Sequence, residues 1–305
     1  MPTQSVLQRQ LRSAQELQSI VRTMKALAAG NIHQYENAVQ SLATFNRTLK
    51  QGLQIFLMHF PEALQQSYTA PQEGLGIVVF GSDQGMCGRF NEQMATYVGR
   101  HLRRSLSEAD IGSEKRAENR RMIVVGTRLA DLLAREGYVP DRRLAVPSAL
   151  GHVSQQVQAI VLQLEQWRSE QSVDRIWTFY HHPQRGLSTP RLRQLFPFDP
   201  VMLRTLSETP WPSRCRPMIF QEKTPLFLAL FRQFFFVGLY RACVESLASE
   251  NASRLASMQM AEKNINERLE MLNRLYQQQR QTLITSELLD IVSGFEVLKG
   301  KADRS

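Results

Sequence analysis

Cysteine is scarce in this chain. There are three, at positions 87, 215 and 243, and no two stand at Cys-x-x-Cys spacing. An odd, widely spaced set excludes a disulfide framework and a zinc ribbon. It reads as three reduced thiols packed as small apolar groups. Also missing is an unbroken apolar run of the roughly 18–20 residues that crosses a bilayer. The nearest stretch, 226–240, is interrupted by Arg232 and Gln233. Residues 1–12 are polar and lack the apolar core of a secretory signal, so the chain is expected to stay where it is made. The glycine-rich stretch 81–91 lacks the lysine and hydroxyl residue of a P-loop, because Arg89-Phe90 follows Gly88. A GxGxxG fingerprint with an acidic partner is absent as well. No cofactor is therefore expected, and Ser82 and Asp83 read as turn residues. His181-His182 precedes Pro183 without a cysteine or carboxylate at ligand spacing, which reads as a surface turn rather than a metal site. Without a nucleophile–base constellation, the chain is not expected to carry out bond chemistry.

What is present is positive charge, a formal +9 with a pI near 9.8. That balance favours an acidic partner: nucleic acid, an anionic membrane or an acidic protein surface. Hydrophobic content of 43% and charged content of 21% are those of a folded chain rather than a disordered one. Lysine and arginine are spread along the sequence, without the clustered basic and aromatic face of a nucleic-acid binder. A coiled-coil nucleic-acid or chromosome-organising protein is thus the alternative reading, and an enzyme with a cofactor domain a weaker third.

The chain divides into three segments. From 4 to 60, apolar residues recur at steps of three or four: Leu7, Leu11, Ala14, Leu17, Val21, Met24, Ala28, Ile32, Tyr35, Val39, Leu42, Phe45, Leu49, Leu53, Phe56 and Phe60. The mean step is roughly 3.5, the coiled-coil period, and Pro61 stops the helix. At the other end, Thr224 can cap and Pro225 fits a first helical turn. No proline follows, and Met258, Ala261, Ile265, Leu269, Leu272, Tyr276 and Leu283 form a second seam. A helix from there to about residue 299 would be on the order of 110 Å long, too long for a compact domain to bury. Antiparallel pairing with the first helix would bring Phe60 to Pro225 and leave the C-terminal end projecting alone. The aromatic run Phe227, Phe231, Phe234, Phe235 and Phe236 is expected to pack the foot of that pair.

Between the helices, strands are predicted at 75–81, 122–126, 144–146, 173–180 and, more weakly, 191–198. Helices are predicted at 90–105, 127–136 and 148–167, with a surface loop at 111–120. Alternation of this kind indicates an open, mainly parallel, Rossmann-like sheet. The domain boundaries expected are 1–61 for the first coiled-coil helix, 62–223 for the α/β domain and 224–305 for the second helix with its protruding tip.

Three stretches resemble the gamma subunit, or central stalk, of F-type ATP synthases. The most specific comprises Leu239-Tyr240-Arg241-Ala242, Glu245-Ser246-Leu247-Ala248-Ser249-Glu250, Arg254 and Met258, continuing in Arg280-Gln281, Ile284-Thr285, Glu287-Leu288, Ile291-Val292 and Ser293-Gly294. The second is the loop Gly81-Ser82-Asp83-Gln84-Gly85-Met86-Cys87-Gly88-Arg89-Phe90-Asn91. The third is Leu11, Ser13, Ile20, Met24-Lys25 and Ala28-Ala29. Departures are Gly30-Asn31-Ile32-His33, where the family has a lysine and a basic patch, and Gln277-Gln278 before the Arg-Gln pair. They suggest a divergent branch such as the alternative sodium-linked ATPases of some bacteria.

The resemblance implies a non-catalytic rotor shaft that couples ion-driven rotation of a membrane ring of c subunits to ATP synthesis or hydrolysis on the surrounding alpha and beta subunits. An epsilon subunit on the foot and a peripheral location on the cytoplasmic face of a bacterial plasma membrane are implied too. No nucleic acid is implied as a partner. Matching positions assign catalytic-subunit contacts to Arg280, Gln281, Thr285 and Glu287, and, lower down, to Met24, Lys25 and Arg254. Leu288, Leu289, Ile291, Val292, Phe295, Val297 and Leu298 would form an apolar bearing tip, clothed nearly all round, for an apolar sleeve.

Overall fold

The computed structural model describes residues 3–61, 74–107, 120–170, 173–184, 187–215 and 217–302. Within these ranges the side chains of 105–107, 170, 184, 187 and 293–302 are not described. Of the predicted loop at 111–120, residues 111–119 lie outside the described residues, and Arg120 instead begins a strand.

In chain order the elements are α1 (Gln4–His59), β1 (Gly74–Phe80), α2 (Phe90–Ser107), β2 (Arg120–Val125), α3 (Thr127–Arg135), β3 (Arg142–Leu144), α4 (Leu150–Glu170), β4 (Val173–Gln184), β5 (Leu187–Phe196), α5 (Pro200–Glu208) and α6 (Lys223–Ala302). The sheet order is β3-β2-β1-β4-β5, parallel except for β5, which returns antiparallel along β4. The mainly parallel sheet between two terminal helices is thus observed. Helix α5 had no sequence prediction. It begins where Asp199 caps, its carboxylate accepting from the Val201 N–H at 2.9 Å, with Pro200 in the first turn.

Strand β1 is buried on both faces, as its continuous Leu-Gly-Ile-Val-Val-Phe run requires. One face, with Ile77 and Val79, packs against Met94, Val98 and Leu102 of α2 and Leu129 and Leu133 of α3. The other, with Val78 and Phe80, joins a cluster that takes in Val157, Ile160 and Leu164 of α4, Phe56 of α1, and Phe231, Phe235, Leu239 and Val244 of α6. The predicted meeting of Phe60 and the start of α6 is present: Lys223 Nζ lies 6.0 Å from the Phe60 ring centre, and Phe56 and Phe227 are 5.6 Å apart. Phe231 and Phe234 close on Phe198, and Phe231 and Phe235 on Phe196, within 6.5 Å.

Helix α6 corrects one expectation. By length and composition it is apolar enough to cross a membrane, because the apolar residues on both sides of Arg232 and Gln233 outweigh that interruption. Phe231, Phe235, Leu239, Cys243 and Val244 bury in the sheet cluster, as in the core helix of a folded domain.

The chain forms two compact units, one of Met1–Leu27 with Leu255–Ser305 and one of Ala28–Arg254. The first is a helix pair. Leu7, Val21, Met258 and Leu272 are buried in it, while Leu17, a predicted seam position, is 54% exposed. Phe45, in the second unit, is exposed as well. A strict 3.5-residue reading places such positions on the seam, but a helix of 3.6 residues per turn drifts off it.

Candidate partner-binding surfaces and their supporting framework

The helix pair is held by a ladder of polar contacts. Gln4 Nε2 donates to the Tyr276 hydroxyl at 3.3 Å, Gln18 Nε2 to Asn266 Oδ1 at 2.5 Å, and Arg22 Nε to Glu262 Oε1 at 3.1 Å. Lys25 Nζ donates to Glu262 Oε2 at 2.5 Å. Numbers on α6 fall as those on α1 rise, so the pair is antiparallel. Lys25 first, then Arg22, holds the Glu262 carboxyl below the usual carboxylate range. Lys25, expected to face a partner, thus has an internal one, and Met24 beside it is half-buried.

Beyond Tyr276, α6 has no companion from α1 among the described residues. Arg280, Gln281, Thr285 and Glu287 are all exposed. Positions 280, 284 and 287 share one stripe of the helix, and 281, 285 and 288 the next. The Thr285 hydroxyl donates to the Gln281 carbonyl at 2.9 Å, which fixes its rotamer and leaves its methyl outward. Ile284, Leu288, Leu289, Ile291 and Val292 are about half exposed. At about 100° per residue, Leu288, Leu289, Ile291 and Val292 span roughly 160° of the circumference, with Glu287 and Asp290 on the remainder. These four residues of the expected bearing tip thus cover one side of the helix. The side chains of Phe295, Val297 and Leu298 lie outside the described residues.

In the second unit Arg254 is only 15% exposed and donates from Nη2 to Glu250 Oε1 at 2.6 Å. Burial raises the Glu250 carboxyl above its ordinary range, and Arg254 offsets part of that. The loop 82–91 is a bracket. Asp83 Oδ1 accepts from the Thr127 N–H at 2.8 Å, at the N-terminus of α3, and its Oδ2 from the Val146 N–H at 2.7 Å. One carboxylate thereby ties the loop after β1 to the connections after β2 and β3, where a helix N-terminus favours negative charge. Ser82 and Asn91 close the loop reciprocally, at 3.1 and 2.8 Å. Gly126 has φ 113°, and a Cβ there would stand 2.7 Å from the Ser82 nitrogen, so only glycine fits the crossing.

Two sequence readings are corrected in this unit. His181 and His182 are not a surface turn. β4 runs on through them to Gln184, since pairing with β5 satisfies their backbone. The His181 ring is fully buried and stacks on Phe90 at 3.9 Å, and burial pulls it down to about 3, so it is neutral. His182 Nδ1 lies 2.7 Å from Glu245 Oε2, whose other oxygen accepts from Arg241 Nε at 2.6 Å. Alternating strand residues pointing to opposite faces would have separated these roles. The cysteines also differ. Cys87 and Cys243 are buried, the latter pushed up to about 12 by burial and then by Glu250, but Cys215 is exposed. It lies between α5 and α6 in irregular backbone, with no core to enter.

A family model described as ATP synthase matches residues 3–298. An ATP synthase gamma chain from Bacteroides fragilis is 26% identical over 290 residues, covering 93% of this chain and 96% of its own length. Another, from Ruminiclostridium cellulolyticum, is 24% identical and covers 95% and 96%. Among solved structures, a chain in the rotor of the Euglena gracilis mitochondrial ATP synthase matches with a TM-score of 0.60 at 17% identity, covering 92% of this chain and 98% of that one. A chain from the central stalk and c-ring of the Tetrahymena thermophila mitochondrial enzyme matches with a TM-score of 0.55 at 19% identity, covering 79% and 99%. The relatives match nearly the whole length, and the solved chains share the fold that places an α/β sheet between two long helices in the sequence. With the family model spanning nearly every residue, this chain belongs to the ATP synthase family, among relatives that are gamma chains.

Proposed function

We propose that this chain is the central rotor shaft of an F-type ATP synthase, a non-catalytic subunit that turns inside a ring of alpha and beta subunits. The observation that carries the proposal is the bare end of α6. From Gln281 to Val292 every described side chain is exposed, and six of them are large and apolar. An isolated helix of that length is marginal in water, and an exposed apolar face of this size marks a partner surface. A sleeve of apolar side chains would cover Leu288, Leu289, Ile291 and Val292, with Phe295 and Leu298 continuing it. Arg280 would form charge-assisted hydrogen bonds with carboxylate or carbonyl groups of the catalytic subunits, with Gln281, Thr285 and Glu287 beside it.

The mechanism needs asymmetry. A one-sided rod presents different faces to otherwise equivalent nucleotide sites, and each face biases its neighbour between open and closed states by differential contact energy. In the reverse direction, nucleotide turnover drives the rod. Met24, Lys25 and Arg254 would meet acidic groups lower on the catalytic subunits, with Lys25 and Arg254 exchanging their internal carboxylates for external ones. The segment 62–223 and the start of α6 would form the foot, seated on a membrane ring of c subunits and bound by an epsilon subunit. On this reading the chain is peripheral at the cytoplasmic face of a bacterial plasma membrane.

Affinity purification of the tagged full-length chain from its host tests the assignment. Co-isolation with a hexameric ATPase and a ring of small membrane subunits is expected. Recovery of nucleic acid, with affinity falling steeply with salt, would instead favour the coiled-coil nucleic-acid alternative.

A further inference from the structure

A rotor that receives torque at its foot and delivers it along a helix needs a joint that does not slip. The contacts between the sheet and α6 within the 28–254 unit follow one stripe of that helix. Gly238, Glu245 and Ser249 lie on one helical face, at spacings of seven and four residues. At Gly238 the helix backbone comes so close to β5 that a Cβ would stand 2.9 Å from Leu195 Cδ2. Two turns on, Glu245 meets His182 of β4 at 2.7 Å. One turn further, the Ser249 hydroxyl donates to the His181 carbonyl at 3.3 Å. The three contacts extend over about 16 Å of helix.

Glu245 is the centre of this line. Its side chain is only 2% exposed, and both oxygens are used, one by His182 and one by Arg241. The buried Tyr180 of β4 feels this carboxylate: burial first and then Glu245 raise its hydroxyl, while Arg193, Arg191 and Arg241 act on that hydroxyl in the opposite sense. A carboxylate so enclosed cannot exchange its partners for water at low cost, and in a low-dielectric site the attraction to them is strong. Apolar packing resists separation of helix and sheet but little resists sliding. A buried, directional hydrogen bond from Glu245 to His182, with the carboxylate held in place by Arg241 one turn back on the same helix, resists both.

We propose that Glu245, with His182 and Arg241, is the torque clamp of this rotor: a positioning residue that locks the α/β sheet against rotation about α6. The clamp rests on the rotor reading, and on that reading its loss softens the joint without touching the nucleotide sites. Glu245 makes no contact at the exposed end of α6, so hydrolysis by the detached catalytic head containing the variant chain should be unchanged.

The test uses the assembled complex, with a rod attached through Arg135→Cys on α3 in a Cys215→Ser background and the catalytic ring held in a nucleotide-bound pause. The angular spread of the rod reports the torsional stiffness between sheet and head. With Glu245→Gln the spread should widen several-fold, while head hydrolysis stays at the level of the unsubstituted chain. If Glu245→Gln fails to assemble, Arg241→Gln, at the more exposed end of the trio, should give a smaller widening in the same direction. His182→Gln, which keeps a hydrogen-bond donor, should recover part of the stiffness lost in His182→Ala. An unchanged spread in Glu245→Gln and Arg241→Gln, in a complex that rotates normally, would overturn the clamp. A complex with Glu245 intact that does not rotate would instead overturn the rotor reading beneath it.

Discussion

The two units of the chain use the same helices in opposite ways. In the 28–254 unit α6 is wrapped by sheet and helix, with Leu239, Ala242, Cys243, Val244, Leu247 and Ala248 all buried. In the unit of 1–27 with 255–305, the same helix buries Met258 and Leu272 and leaves Met260, Met271, Leu275, Leu288 and Leu289 exposed. Composition changes along α6, from the Phe-rich 226–240 to the charged and Gln-rich 262–281, yet large apolar residues return at 283–292, where this chain supplies no cover among the described residues. A core is finished by its own chain and is sensitive to every missing methylene. A partner surface is left open by its own chain, and the stability of the free protein is indifferent to it.

Stability measurements sharpen that contrast, beginning with the core. Phe179, on β4 and buried against α2, should cost about 3–5 kcal/mol when truncated to alanine. Leu288→Ala on the open helix should lie within about 0.5 kcal/mol of the unsubstituted chain in the same urea titration. Equal losses at the two positions would erase the distinction between the units.

The next largest effect is a pH dependence confined to the sheet unit. Unfolded, His181 takes up a proton near 6.5; folded, it does so only near 3. Between those values the unfolded chain binds more protons, so stability falls as the pH is lowered through that window. The drop from pH 6.5 to 5 should be roughly 1–2 kcal/mol. His181→Phe, which keeps a ring against Phe90, should flatten this part of the profile. An unaltered slope in the variant would show that His181 is not the group responsible.

In the helix pair the charge effect is smaller and has its own sign. The depressed Glu262 carboxyl contributes stability that is present above the ordinary carboxylate range and lost as the pH falls through its lowered folded value. Because the site is open to solvent, Glu262→Gln should change melting only slightly and mainly reduce its sensitivity to salt. Arg280→Ala and Gln281→Ala should leave unfolding unchanged while lowering coupled ATP turnover in membranes. Full synthesis and hydrolysis in both variants would remove these residues from the coupling surface.

Legibility in the sequence followed the same divide. The continuous apolar strand β1 and the proline that ends α1 were readable because local pattern and global environment agree. Helix α5 was missed: its cap, Asp199, follows a Pro-Phe pair that reads as a strand end. His181 and His182 were misread because a Pro at 183 suggested a turn, whereas an edge pairing with β5 tolerates it. Glu245 could be seen as part of a motif, but its burial depends on a strand 63 residues away, which no local pattern discloses. Lys25 was assigned outward by resemblance, and the carboxylate that receives it lies 237 positions along the chain. The exposed stripe at 280–292 was readable because an apolar pattern continues past the point where α1 has no residues left to pair with it.

The central claim is that this chain rotates, and its one exposed cysteine among the described residues offers a direct view. Cys215 can be labelled in the assembled complex while Cys87 and Cys243 stay buried. A bead coupled there, with the catalytic head fixed to a surface, should turn in one direction when ATP is added and stop when it is exhausted. A bead that stays still while the head hydrolyses ATP at its full rate would contradict the account.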